Sequence, residues 1–123
     1  MSTEADVFDT LVVGAGPAGL SAAAAAAEGG ARVLLVDDNP DIGGQYFRAR
    51  DAALTGRMQT MVVGELDAWR QRLASAKVQV ETATALWGFG ADDVAYLHSR
   101  PGNSISTVGC RTLVSAIGAR ELV

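Results

Sequence analysis

The glycine spacing Gly14-Ala15-Gly16-Pro17-Ala18-Gly19 leaves few ways for this chain to fold. It follows a short apolar run, Val7 to Val13 (VFDTLVV), and leads into an alanine-rich stretch that reaches Glu28 without a β-branched residue. The apolar run reads as a buried parallel strand, and the alanines as a strong helix former. Pro17 suits the first helical position, where its missing N–H has no intrahelical partner to lose. Gly29-Gly30 supplies a residue free to take positive φ at the helix end. Arg32 to Val36 (RVLLV) predicts a second buried strand, stopped by Asp37-Asp38-Asn39-Pro40. Strand, glycine turn, helix and strand make a βαβ unit, whose crossover is expected to be right-handed.

The same residues carry a chemistry. Gly14 permits the tight turn out of the strand, Gly16 lets backbone approach a pyrophosphate, and Gly19 lets the helix pack closely on the sheet. The first turn, with Pro17 and Ala18, offers free N–H donors and the positive end of a dipole to phosphates. Small residues continue at Ala23 and Gly30 along the predicted sheet-facing side. Asp37, expected as the last residue of the second strand, stands near the ~20-residue spacing of a ribose-binding carboxylate. Asp38 reads as solvated, with an exchange of roles between the two acids left open. A carboxylate here repels a 2′-phosphate, which argues against NADP. The pattern indicates dinucleotide binding, and by itself it does not separate FAD from NAD, which share the ADP half.

Further along, Ile42-Gly43-Gly44-Gln45 reads as a loop, and Tyr46 to Met61 as a short helix or a mobile stretch. Leu66, Trp69 and Leu73 give Glu65 to Ala76 an amphipathic helical period. Val78 to Thr84 alternates as a third strand. Ala85 to Phe89, Val94 to Ser99 and Ser104 to Cys110, separated by turn-rich segments, predict an antiparallel meander, and Thr112 to Ala116 a last strand. The expected fold class is α/β, a single domain over 1–123. It is a Rossmann-like parallel sheet with an inserted three-stranded antiparallel meander at about 85–110.

Composition narrows the partners. A net charge of −4 provides no basic face for nucleic acid. The longest low-polarity stretch, Leu20 to Ala27, is far below the roughly 20 residues of a membrane span, so no membrane partner is expected. The acidic start lacks the cationic region of a signal peptide. The single cysteine, Cys110, forms no internal disulfide and fits a reducing compartment, so the expected location is cytoplasmic. Cys110 reads as an inert thiol or, with Arg111 beside it, one of lowered pKa. His98 stands without a second ligand, and Ser21 and Ser115 without a histidine partner. Trp69 and Trp87 read as core or interface rings, and Arg70, Arg72 and Lys77 as a solvated helix face.

The segment VVGAGPAGLSAAAAAAEGGARVLLVDDNPDIGGQYFR resembles the N-terminal FAD-binding segment of two-dinucleotide-domain flavoproteins of the glutathione-reductase-like fold. Asn39 to Arg48 (NPDIGGQYFR) is similar to FAD/NAD-binding subunits of heteromeric amine and amino-acid oxidoreductases, such as opine oxidase, hydrogen cyanide synthase and the alpha chain of sarcosine oxidase. Thr112 to Glu121 resembles a second marker of that family, a strand ending in Ala-Thr-Gly close to the flavin, with Ile117 in the threonine's place. The resemblance implies FAD as cofactor, with NAD the alternative. It places Gly44 and Gln45 against the cofactor near its pyrophosphate and flavin side. Thr84 falls at a position whose backbone meets the adenine, and Gly118 at the turn beside the flavin.

The function so implied is the FAD-binding portion of an oxidoreductase acting on amines or amino acids of the opine, sarcosine or glycine type. A complementary oxidoreductase subunit is the implied partner, and these residues contain no catalytic acid or base and no metal ligand. The family's downstream Gly-Asp motif, edge strand and second GxGxxG domain lie beyond the pattern matched here, so the fold is expected to be truncated. The Cys-x4-Cys pair of dithiol reductases is missing around Gly43-Gly44-Gln45, which argues against disulfide reductase chemistry. The alternative function is a non-catalytic dinucleotide-binding module, or a remnant without activity alone.

Overall fold

The computed structural model of the chain describes residues 6–43 and 57–117. β1 (Val7–Val13), α1 (Pro17–Glu28) and β2 (Val33–Val36) follow one another as the glycine turn predicts. They are followed by α2 (Arg57–Ser75), β3 (Gln79–Glu81), β4 (Thr84–Phe89), β5 (Val94–Ser99) and β6 (Ser104–Ser115). The strands hydrogen-bond in the order β3-β2-β1-β6-β5-β4. β1 runs parallel to β2 and β6, and β2 parallel to β3. β4, β5 and the first half of β6 form the antiparallel meander. The class is α/β with a mixed six-stranded sheet.

All four residues of β2 are buried, because both faces of the sheet are covered. Val33 and Leu35, with Val12 of β1, pack under Leu20, Ala23 and Ala24 of α1 and Leu73 of α2. Leu34 and Val36, with Leu11 of β1, pack against Ala95, Leu97 and Val108 of the meander. The meander therefore lies over the face opposite the helices. A strand sandwiched this way shows no polar alternation, which is why VLLV reads as a continuous apolar run.

Several boundaries differ from expectation. β2 begins at Val33 and ends at Val36, so Asp37 lies just past the strand. α2 starts at Arg57 rather than Glu65, and the rest of the 46–61 stretch lies outside the described residues. β3 is short and exposed at the sheet edge, ending before Ala83 turns the chain at a φ of 50°. Gly30 takes a φ of +103° in the turn after α1, with nothing within 4 Å of where a Cβ would stand. It is a helix-ending residue and not part of the sheet-facing side, which Ala23 occupies.

The largest difference lies in β6. The sequence pattern breaks at Arg111, yet Ser104–Ser115 is one strand. Its first half pairs with β5 and its second with β1, and Gly109 pairs with both Val94 and Val7. Val108, Cys110 and Leu113 all pack in the meander-side cluster, so the inward-facing parity shifts between residues 110 and 113. Phe8 and Leu11 make the same shift on β1. There the Arg32 carbonyl accepts from both Asp9 N–H (2.8 Å) and Thr10 N–H (3.2 Å), the shared acceptor of a β-bulge.

Candidate functional site

The site sits at the carboxyl ends of the parallel strands. Gly14 N–H donates to the Val36 carbonyl at 2.8 Å, which draws the turn against β2. Gly14 has a φ of +109°, and a Cβ there would stand 2.5 Å from the Ala116 carbonyl oxygen. A Cβ on Gly19 would stand 1.6 Å from the Gly14 carbonyl oxygen, so the first turn of α1 rests on the backbone of the glycine turn itself. Both conflicts are with main chain, which has no rotamer by which to yield.

Gly16 is the N-cap of α1, with extended backbone and no side-chain capping bond. Pro17 follows at the start of the helix, and the first turn contains no acidic residue. Leu20 N–H donates to the Gly16 carbonyl at 2.9 Å and begins the helical ladder. The N–H groups of Ala18 and Gly19 precede that bond and have no acceptor within the helix. With the positive end of the macrodipole, they make a place for a phosphate or pyrophosphate, and a glycine N-cap leaves it open.

Asp37 is 8% exposed and braces this turn. Its Oδ1 accepts from Ala15 N–H at 3.0 Å and its Oδ2 from Asn39 N–H at 3.1 Å. Gly43 N–H donates to the Ala15 carbonyl at 2.7 Å, so Ala15 is held on both its polar groups. An ionised carboxylate has about four acceptor positions, and these bonds use two.

Thr84 is buried, donating its N–H to the Asp37 carbonyl at 2.9 Å and its hydroxyl to the Thr82 carbonyl at 2.8 Å. Ala83 N–H donates to the Asn39 carbonyl at 2.7 Å. Arg100, from the turn between β5 and β6, donates its N–H to the Ala83 carbonyl at 3.0 Å. Its guanidinium contacts both the carboxylate and the main-chain carbonyl of Asp38. Asp38 is exposed, as expected, but it is paired rather than simply solvated.

Thus Gly14, Gly16, Pro17, Ala18, Gly19, Asp37, Asp38 and Thr84 meet at one end of the sheet, while Gly44, Gln45 and Gly118 lie outside the described residues. Arg100 is the residue that sequence reasoning missed. It stands 62 residues from Asp38, and no local pattern links the two.

Other candidates resolve differently. Cys110 is buried, and that burial, with the Asp93 carboxylate second, pushes its thiol pKa up, so the lowering suggested by Arg111 does not occur. A His98 ring nitrogen lies 3.0 Å from Asn103 Oδ1. Arg70, Arg72 and Lys77 are exposed, as expected, and the two arginines are also paired, Arg70 with Asp41 and Asp67 and Arg72 with Glu28. Trp69 is half-buried with Arg72 over its ring, whereas Trp87 is 62% exposed. Among the described residues no cluster of His, Cys, Asp or Glu suits a metal ion, and no helix is long and apolar enough to cross a membrane. A cavity of about 290 Å³ between α2, β3 and the loop after β2 includes Ile42, Leu73 and Val80 in its lining, but none of the glycine-turn residues.

The chain is similar to known proteins. The model of a family described as FAD dependent oxidoreductase matches residues 9–97. One of the subunits of opine oxidase from Rhizobium meliloti (strain 1021) is 32% identical over 119 residues, which is 94% of this chain and 25% of the relative. The alpha chain of sarcosine oxidase from Corynebacterium sp. (strain U-96) is 38% identical over 91 residues, 72% of this chain and 9% of the relative. The chain therefore spans a quarter or less of the length of these relatives. L-proline dehydrogenase from P. horikoshii superposes with a TM-score of 0.70 over 95% of this chain and 24% of that one. At 18% identity, that is a likeness of fold alone.

Proposed function

The chain belongs to the FAD-dependent oxidoreductase family, whose cofactor is FAD, and from that premise we propose that it forms the ADP-binding part of a larger flavoenzyme acting on an amine or amino acid. The observation that carries this reading is the uncapped, acid-free start of α1, seated on a turn where Gly14 and Gly19 admit no side chain. The free N–H groups of Ala18 and Gly19, after the Gly16-Pro17 start of α1, would hold the pyrophosphate. Asp37 keeps acceptor capacity beyond its bonds to Ala15 and Asn39, and offers it to the ribose hydroxyls. Thr84 is assigned to the adenine side, and from the sequence resemblance alone Gly44 and Gln45 would be added for the pyrophosphate and flavin side and Gly118 for the flavin, three residues outside the described ones.

When bound, the flavin supplies the chemistry of accepting a hydride from the substrate. The residues of this chain bind and orient; none is assigned as acid or base. The names of the relatives, opine oxidase and sarcosine oxidase, support an amine or amino-acid substrate, and both relatives are named as subunits. The reading extends accordingly to a cytoplasmic, heteromeric enzyme of the two-dinucleotide, glutathione-reductase-like class. In it, an NAD site would belong to a second dinucleotide domain and the active site would be completed by a complementary subunit.

The test is a visible absorption spectrum of the chain after incubation with FAD and gel filtration. The wild-type chain should retain the flavin band, and Gly16→Val, which fills the space before α1, should lose it while keeping its circular dichroism. A folded wild-type chain without flavin, or an equal band in the variant, would overturn this assignment.

A further inference from the structure

Three hydrogen bonds fasten the glycine turn to the segment that leaves β2. Gly14 N–H donates to the Val36 carbonyl, Ala15 N–H to Asp37 Oδ1, and Gly43 N–H to the Ala15 carbonyl. Ala15 is buried between them. A peptide group is planar, so fixing its C=O or its N–H fixes the direction of the other. The Asp37 bond therefore orients the peptide that enters Ala15. The Gly43 bond orients the peptide that leaves it, whose N–H belongs to Gly16. Gly16, the N-cap of α1, adds no side-chain bond to this arrangement. Of the three bonds only the one to Asp37 is made by a side chain, which makes it the one a substitution can remove.

We propose that Asp37 is a positioning residue for the phosphate end of the site: through Ala15, its carboxylate holds the glycine turn in the shape that receives a pyrophosphate. The inference rests on the dinucleotide reading above, and gives Asp37 a role on the half of the ligand away from the ribose. A buried carboxylate is kept out of water by the bonds it accepts, and here each oxygen accepts one, from Ala15 and from Asn39. An asparagine in its place sets an NH2 group against one of those two N–H donors. The sign of the effect separates this role from plain electrostatics. A carboxylate beside a phosphate repels it, so on charge alone Asp37→Asn should tighten phosphate binding. Loss of the brace should weaken it.

The test titrates three probes, followed by NMR, into the wild-type chain and Asp37→Asn: ADP, 2′,3′-dideoxy-ADP and 2′,3′-dideoxyadenosine. The last two have no 2′ or 3′ hydroxyl for Asp37 to meet. The variant should bind dideoxy-ADP roughly tenfold more weakly, the scale of one hydrogen bond to a charged group. Dideoxyadenosine should be little changed, and ADP should lose at least as much as dideoxy-ADP. A loss confined to ADP, or a tighter dideoxy-ADP, leaves Asp37 with the ribose alone and overturns the proposal while the dinucleotide site stands. Equal losses for the two dideoxy probes mean general damage to the site, and overturn it as well. Should the variant not fold, the wild-type chain decides: its Ala15 amide should exchange slowly with solvent before any ligand is added, and fast exchange there overturns the preset turn. If the folded wild-type chain binds none of the three probes, the site reading itself falls and takes this inference with it.

Discussion

The two faces of the central sheet are packed by different means. On the helix side α1 makes its closest approach through small residues, with Gly19, Ala23 and Ala24 bringing it down onto the sheet while Leu20 and, from α2, Leu73 fill in around them. On the meander side the contacts are made by larger ones: Phe8, Leu34, Leu97 and Cys110 keep a layer of side chains between strand and strand. The first arrangement depends on what a residue lacks, and the second on how much it fills. A helix brought this close exposes its uncapped N-terminus at the strand ends, where an anion can reach it. A layer held off by large side chains can reach the same end only through its turns, as Arg100 does.

The sharpest way to break this contrast is Gly19→Ala. A single added methyl would stand 1.6 Å from the Gly14 carbonyl oxygen, a conflict relieved only by lifting α1 or dismantling the turn. A loss of ~4 kcal/mol or more is expected, at the upper end of single substitutions. Urea denaturation would measure it. A variant as stable as the parent would mean that the close approach is not what seats the helix.

Leu34 and Leu35 allow a finer comparison, since they are adjacent, almost fully buried, and face opposite sides. Leu→Ala at a buried site costs about 2–5 kcal/mol, the spread reflecting how far the surroundings collapse. Leu34→Ala and Leu35→Ala should each fall in that range if the meander is as firm a cover as the helices. A much smaller cost at Leu34 would mark the meander as a loosely held layer.

The same contrast decides how much the sequence reveals. A glycine at Gly14 or Gly19 is a steric necessity, so the turn and the helix that starts on it can be read from spacing alone. Strand β6 depends on parity, and the parity shift between Cys110 and Leu113 looks in sequence like the end of one strand and the start of another. The matching shift on β1 is accompanied by the shared Arg32 carbonyl, contributed by a different part of the chain. Asp37 is legible as an acid at the end of β2, but its bond to Ala15 spans 22 residues, and its bracing role emerges only once the turn is folded. Arg100 is hidden for the same reason: its partner is set by topology.

The smallest expected effect belongs to the pair that fastens the helices together. Glu28 ends α1, and both its carboxylate oxygens accept from Arg72 of α2 at 2.8 Å. The Arg72 hydrogen bonds hold the Glu28 pKa below its ordinary value of 4.5, against the opposing effect of desolvation. A carboxylate whose pKa is depressed on folding contributes stability that is complete above the unfolded value and vanishes as pH falls through the folded one. Glu28→Gln should therefore lower the denaturation midpoint slightly at neutral pH, with both partners open to solvent and screened by salt. The gap between parent and variant should close as pH drops below the carboxylate range, because the parent then loses the same charge. A gap that stays constant into acid would assign the effect to packing of the side chain, and would leave the helix side of the sheet held by its small-residue contacts without electrostatic help.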